Sequence, residues 1–182
     1  MREKEVHDKV IRRTRMETVM ERQTFQPNTV SYGSPVMAPG LIPVIHASTP
    51  SCINEQFMVE GETYCVTSFS LQGSFGAVVT NSIDTLDVSS IGGTLSTHPL
   101  FPLGADIVFV EIEHKDMIKA RLYHKGEGEV SFSERGACAA FVAARILDKT
   151  YGSSLVAMGN KTCRVEWDGV DGEVSLSEIK SI

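Results

Sequence analysis

The chain has 182 residues, of which 42% are hydrophobic and 22% are charged, and its formal net charge is -6. These proportions are ordinary for a globular protein, so they exclude a largely disordered chain, and the length suits one domain or at most two small ones. An acidic balance also argues against a nucleic-acid partner, because neutralising phosphates requires a basic surface.

The first 55 residues are predicted to contain a short helix or arm, a strand and a long loop. Residues 1–13 alternate in charge sign, which predicts either a short solvent-exposed helix or a frayed arm and leaves both open. Residues 15–21 alternate as a strand does. Residues 33–55 are punctuated by glycine and proline, which predicts a loop, with a short edge strand at 41–45. No linker, repeat or low-complexity tract divides the chain, so residues 14–182 are predicted to form one domain.

The following segment is typical of short strands separated by turns. Two hairpins are predicted, each around a glycine-containing turn, at 56–59 with 63–71 and at 154–158 with 162–167. Further strands are predicted at 77–80, 107–112, 117–124 and 173–176. A helix of one to two turns is predicted over 86–95, and we expect Gly92 and Gly93 to end it.

The segment from Gly136 to Ala144 breaks the strand pattern. It is uncharged and consists mostly of small residues, and a helix that is apolar on every side is a buried helix. Ser131 and Glu134 just before it match a capping box. We therefore predict an α+β fold, a single domain of mixed strands curled around one buried apolar helix at about 134–148.

The stretch that leads into this helix carries most of the chemistry. Gly126 and Gly128 form a turn that feeds the helix N-terminus, where backbone N–H groups without partners favour anions. One interpretation is a pocket for a carboxylate or an enolate-like oxygen. The other is a well-capped core helix without a binding role.

Residues 123–140, YHKGEGEVSFSERGACAA, resemble the active-site stretch of the diaminopimelate epimerase family, which is roughly Y-E-R-G-x-G-E-T-x-A-C-G-[ST]-G-A-C-A-A. Further segments resemble family motifs in the same order: VSYGSP at 30–35, GETYCVT at 61–67, and THPLFP at 97–102 with the apolar run that follows it. The resemblance covers residues from about 14 to 182 and corresponds to the C-terminal domain of the family. It implies a diaminopimelate-epimerase-like fold.

The resemblance also implies where the chain departs from the family. The family has two similar domains, each of which supplies one cysteine of a two-base pair, and we expect the first domain and its cysteine to be absent here. The second cysteine position is Ser133, whose hydroxyl has no useful acidity near neutral pH and cannot exchange a proton with a carbanion as a thiol does. Cys138 matches the family's other cysteine, and we expect it to be packed in the core.

The other polar positions of the family's site are exchanged as well. The Glu-Arg pair that binds the amino-acid head group is His124-Lys125, the substrate-binding asparagine is Asp106, and the helix-cap pair is Glu134-Arg135. The residues predicted to be catalytic are Ser133, Lys125, His124 and Glu134. Those predicted to bind substrate are Asp106, Arg135, Gly136, Ala137, Ser74 and Phe75.

Several of these residues also have a purely structural interpretation. Glu134 would be a capping-box partner, His124 and Lys125 would be surface residues at a strand end, and Asp106 would be a turn residue at a strand start.

The remaining features predict no cofactor and no metal. The four cysteines have no C-x-x-C spacing and no paired histidine motif is present, which favours reduced thiols and a cytoplasmic location. Neither a P-loop nor a G-x-G-x-x-G turn after a strand is found. No stretch approaches the roughly 18 apolar residues of a membrane span, so no membrane contact is expected.

We therefore predict a retained scaffold with altered chemistry. The favoured function is a cofactor-independent isomerase or cyclase that acts on a small-molecule substrate in biosynthesis, and not a diaminopimelate epimerase. The alternative is a non-catalytic binding or interaction module, which would partner a separate half. Loss of a domain would expose an apolar surface, so we also expect a homodimer.

Overall fold

The computed structural model describes residues 28–45, 52–169 and 171–181. The predictions for residues 1–13 and 15–21 lie outside the described residues. The strands are β1 (Val30–Ser31), β2 (Glu55–Val59), β3 (Glu62–Ser70), β4 (Ser74–Thr80), β5 (Asp106–His114), β6 (Met117–His124), β7 (Gly128–Val130), β8 (Ser153–Met158), β9 (Lys161–Glu166) and β10 (Ser175–Ser181). The helices are α1 (Val88–Ser96), between β4 and β5, and α2 (Glu134–Ile146), between β7 and β8.

The strands form one mixed sheet in the order β1-β10-β9-β8-β6-β5-β4-β3-β2, and β7 pairs with β6 beside this path. Both predicted hairpins are confirmed, as β2 with β3 and β8 with β9. Neighbours are antiparallel except β4 with β5 and β6 with β8. Parallel neighbours need a crossover connection, which α1 provides for the first pair and α2 for the second.

The segment 30–36 joins β10, near one end of the sheet, to β3, near the other end. Near its start, Tyr32 N donates to Val174 O at 2.8 Å beside β10. At its end, Val36 N donates to Ser70 O of β3, also at 2.8 Å. The sheet therefore closes around α2, whose residues 136–144 are all buried. This confirms the prediction of mixed strands curled around one buried apolar helix.

The start of α2 differs from the predicted capping box. Its N-cap is Ser133, whose Oγ accepts a hydrogen bond from Gly136 N at 3.1 Å, and not Ser131. Glu134 is consequently the first helical residue and accepts a hydrogen bond from the hydroxyl of Tyr32. A capping box needs the acidic residue at the third helical position, so an N-cap two residues further along the chain removes the motif.

Helix α1 continues through the two glycines that were predicted to end it. Asp87 caps the helix by accepting from Ser90 N at 3.0 Å, and the helix extends to Ser96. A Cβ atom at Gly92 would lie 2.5 Å from the Cβ of Tyr123 on β6. Gly92 is therefore needed for the close packing of α1 on the sheet and not for a turn, which explains the wrong prediction.

The predicted edge strand at 41–45 is also wrong. Residues Pro39–Leu41 form a single 3-10 turn, and the chain beyond it is irregular. Pro43 in the middle of this segment has no N–H group to donate to a ladder. Two side chains of the segment, Ile42 and Val44, are instead buried in a hydrophobic cluster around α1, which is separate from the core around α2. No helix within the described ranges is long and apolar enough to cross a membrane.

Candidate active site

A cavity of about 380 Å³ opens at the edge of the sheet where β4 and β5 begin and β6 ends. Its walls bring together five residues that the sequence analysis singled out: Ser74, Asp106, His124, Lys125 and Arg135. The other walls are Pro43 and the loop of Leu103, Gly104 and Ala105 just before β5. The sheet topology thus gathers side chains that lie up to 61 positions apart in the sequence.

Asp106 is the centre of the polar contacts in this cavity. Only 6% of the residue is exposed. Its Oδ1 accepts from Lys125 N at 2.9 Å and lies 2.8 Å from Nδ1 of His124, and its Oδ2 accepts from Arg135 Nη2 at 2.6 Å. A buried carboxylate is tolerated when it is paired and hydrogen-bonded in this way. Asp106 therefore ties β5 to the end of β6 and to the first turn of α2.

Arg135 is held by three partners. Besides its bond to Asp106, its Nη1 donates to Gln72 O at 2.8 Å, and its guanidinium carbon lies 5.2 Å from the ring centroid of Phe75. Gly73 makes room for this arrangement, because a Cβ atom there would lie 2.8 Å from Nη1 of Arg135. Phe75 is completely buried. The sequence analysis assigned it to substrate binding, whereas in the structure it supports Arg135 and does not line the cavity.

Lys125 is the second cation of the cavity. Its Nζ donates to the backbone oxygen of Leu103. Gly104 provides the space, since a Cβ atom there would lie 2.7 Å from Cδ of the lysine. Among the described residues that line the cavity, two cations therefore stand against one carboxylate, and this excess of positive charge favours an anionic ligand.

His124 has its two ring nitrogens in different surroundings. Nδ1 lies 2.8 Å from the Asp106 carboxylate, whereas Nε2 lies 3.7 Å from Oε1 of Glu127, which is too long for a hydrogen bond. A lone pair on Nδ1 would repel the carboxylate at this distance, so the neutral ring carries its proton on Nδ1. The lone pair is then on Nε2, which can accept a proton from a ligand.

The remaining predicted residues lie at the N-terminus of α2 and outside the cavity wall. Ser133 accepts from Gly136 N through Oγ and from Ala137 N through its backbone oxygen, at 3.1 and 2.8 Å. Gly136 and Ala137 are buried and their N–H groups are occupied by this cap, so neither donor is available to a ligand. The Glu134 carboxylate accepts a hydrogen bond from the Tyr32 hydroxyl. Burial of the Tyr32 hydroxyl raises its pKa, and the contact with Glu134 raises it further.

The loop that precedes β5 contains no residue that the sequence predicted for the site. Leu103 and Gly104 line the cavity, and Leu103 also accepts the hydrogen bond from Lys125. The signal was present as a proline- and glycine-containing turn that leads into an apolar strand.

Cys138 lies in the core, where burial raises its pKa. Within the described residues, no group of three or more His, Cys, Asp and Glu side chains could hold a metal ion.

Comparisons with known proteins identify relatives of this chain. No protein-family model matches it. It is 31% identical over 139 residues to a diaminopimelate epimerase of Leptospira biflexa, which is 76% of this chain and 50% of the relative. It is 30% identical over 149 residues to a diaminopimelate epimerase of Xylella fastidiosa strain M23, which is 81% of this chain and 52% of the relative. The chain thus spans about half the length of the curated relatives it matches.

Solved structures share the fold. The chain is similar to a probable proline racemase from Agrobacterium radiobacter K84 with bound carbonate, at a TM-score of 0.52 and 10% identity over 85% of this chain and 52% of the other. It is also similar to a hydroxyproline epimerase from Agrobacterium vitis with bound trans-4-OH-L-proline, at a TM-score of 0.52 and 10% identity. This match covers 85% of this chain and 51% of the other. The sequence relatives confirm the resemblance to the diaminopimelate epimerases, and the solved structures confirm the predicted fold.

Proposed function

We propose that this chain, which is similar in sequence to the diaminopimelate epimerases and shares the fold of the two Agrobacterium structures, works in an isomerase-type enzyme that moves a proton on a small carboxylic acid. The observation that carries the proposal is the pair of His124 and Asp106, with Nδ1 and Oδ1 2.8 Å apart. The pair stands in a cavity that Lys125 and Arg135 also line.

The proposed roles follow from the contacts of each group. Nε2 of His124 takes a proton from a carbon next to, or conjugated with, the carboxylate of the ligand. The imidazolium that forms is stabilised by Asp106. The electron pair left on carbon moves toward the carboxylate, and the negative oxygen that develops is stabilised by the cations of Lys125 and Arg135. Where the carbon that loses the proton adjoins a C=C bond, as in a 3,4-unsaturated acid, that bond shifts from C3–C4 to C2–C3, and return of the proton from Nε2 to C4 completes the isomerisation.

A change of chemistry relative to the epimerases is supported by the number of bases. Among the described residues that line the cavity, His124 is the one histidine, and histidine is the side chain whose ordinary titration lies nearest neutral pH. Inversion at carbon needs proton donors and acceptors on both faces, whereas a proton shift along one face needs a single base. Ser133, at the family's cysteine position, is used as a helix cap. We therefore expect no racemisation of diaminopimelate.

The test is solvent deuterium incorporation. The full chain is incubated in deuterium oxide with a panel of 2-hydroxy, 2-oxo, 2-amino and 3,4-unsaturated acids, and exchange at carbon is followed by mass spectrometry and NMR. His124→Gln is expected to slow exchange by at least about a hundredfold, the usual contribution of a positioned base. The matched control is His114→Gln, which changes an exposed histidine at the far end of β5 and should leave the rate unchanged.

Two outcomes would overturn this assignment. One is an exchange rate in the His124 variant equal to that of the unsubstituted chain. The other is binding of acids in the cavity without exchange of any of them, which would favour the non-catalytic binding module instead.

A further inference from the structure

Exposed apolar side chains lie in the two segments of the cavity wall that carry Leu103 and Pro43. Leu103 lines it and is 66% exposed. Leu41 and Ile45 are 75% and 55% exposed, and they flank Pro43, which also lines the cavity. These four residues are named the apolar rim. Large apolar side chains exposed together mark a binding surface more often than single ones do.

The members of the rim lie on one side of the chain for a structural reason. Ile42 and Val44 are buried in the core around α1, so the residues that alternate with them face outward. Ile45 N donates to Leu100 O at 2.8 Å, which joins this segment to the loop that carries Leu103. That loop is fixed in turn by the bond from Lys125 to the Leu103 backbone oxygen. The rim and the cations are therefore parts of one site.

We infer that the ligand of this cavity is an amphipathic acid, with a single carboxylate joined to an uncharged aryl or alkyl body. The inference rests on the proposed function for the carboxylate end, where two cations face the buried Asp106. It rests on the rim for the other end, because Leu41, Pro43, Ile45 and Leu103 present no charged side chain. A second charged group on the ligand would find no side chain of opposite charge on this rim.

The test is a series of carboxylates of increasing apolar length. Acetate, butanoate, hexanoate and phenylacetate are titrated into the full chain, and dissociation constants are measured by NMR. Full burial of a methylene tightens binding about fourfold, so contact with a half-open rim is expected to give about twofold per methylene. Glutarate, which has a second carboxylate, is expected to bind no more tightly than acetate.

Variants separate the two ends of the site. Leu103→Ser removes a rim side chain but keeps the backbone oxygen that Lys125 contacts, so it should flatten the dependence on chain length and leave acetate binding unchanged. Ile45→Ser is a second rim variant, available if the first fails to fold. Ile179→Ser on β10 is the matched control, because Ile179 is also an exposed aliphatic residue but does not line the cavity. It should behave as the unsubstituted chain.

The outcomes distinguish this inference from the proposed function. Binding of acetate without any gain along the series overturns the amphipathic ligand and leaves the proton-transfer proposal standing. Failure of every carboxylate to bind overturns both. A fall in the oligomeric mass of the Leu103→Ser chain, measured by sedimentation, with no change along the carboxylate series, would identify the rim as an interface between two copies of the chain and would also overturn the inference.

Discussion

Replacement of Asp106 by asparagine is the perturbation that most affects the site. Asparagine keeps the shape of the side chain and one acceptor oxygen. That oxygen can still accept from Lys125 N, but the other position becomes an NH₂ group that faces the guanidinium of Arg135. The substitution therefore removes one charge-assisted hydrogen bond of 2.6 Å and sets donor against donor in a site that is almost fully buried.

The size of the effect follows from these contacts. A hydrogen bond to a charged group contributes about 1.5–3 kcal/mol. Because Arg135 is partly exposed and can recover some hydration, we expect a loss of about 2 kcal/mol in the free energy of unfolding. For a chain of this size, about 2–4 °C of melting temperature is lost per kcal/mol, so the midpoint should fall by about 4–8 °C.

The assay is thermal unfolding followed by circular dichroism, with urea unfolding as a second measurement. Asp148→Asn is the matched control. Its side chain is 96% exposed, and asparagine tolerates its positive φ of 55°, so this variant should stay within about 0.5 kcal/mol of the unsubstituted chain. An Asp106→Asn chain as stable as the control would refute the view that this carboxylate holds the site together.

Three further predictions concern the two helices and the core. Gly92→Ala should lower the melting temperature, because overpacking against Tyr123 costs about 1–3 kcal/mol and exceeds the gain of about 1 kcal/mol in helix propensity. Gly93→Ala should be neutral or stabilising, because a Cβ atom there meets only the hydroxyl end of the same tyrosine. Equal melting temperatures of the two variants would count against the close contact. Ser133→Ala should cost about 1 kcal/mol as a lost N-cap and leave the deuterium exchange rate unchanged; a lost rate with intact stability would restore the serine to a catalytic role. In the native chain at about pH 8, a thiol reagent should label the exposed Cys65 alone, because burial raises the pKa of the other three cysteine thiols. Rapid labelling of a second thiol would contradict the described core.

Elements that depend on neighbouring residues were predictable from the sequence. The hairpins around Glu60-Gly61 and Gly159-Asn160 and the apolar run of α2 each carry their own signal. Contacts between distant segments were not predictable in the same way. The pair Gly92-Gly93 is typical of a helix end, but Gly92 is required because a side chain there would overlap with Tyr123. The closure of the sheet by residues 30–36 depends on strands more than 30 positions away.

The site was predictable in part for the same reason. Family resemblance pointed to His124, Lys125 and Asp106, and the topology brings them together because β5 begins where β6 ends. The resemblance could not show that the hydroxyl of Ser133 is occupied by its own helix. Nor could it show that Leu103 lies beside the cations, since the proline and glycine around it indicate a turn but an exposed leucine does not indicate a ligand site.

The protonation of His124 tests the account most directly. A long-range proton–nitrogen NMR spectrum, recorded at about pH 8.5 where an ordinary imidazole is neutral, identifies which ring nitrogen carries the proton. We expect the Nδ1-protonated form for His124, because Asp106 Oδ1 lies 2.8 Å away, and a loss of this preference in the Asp106→Asn chain. An Nε2-protonated ring in the unsubstituted chain would contradict it, since the nitrogen assigned to accept a proton from the ligand would already hold one.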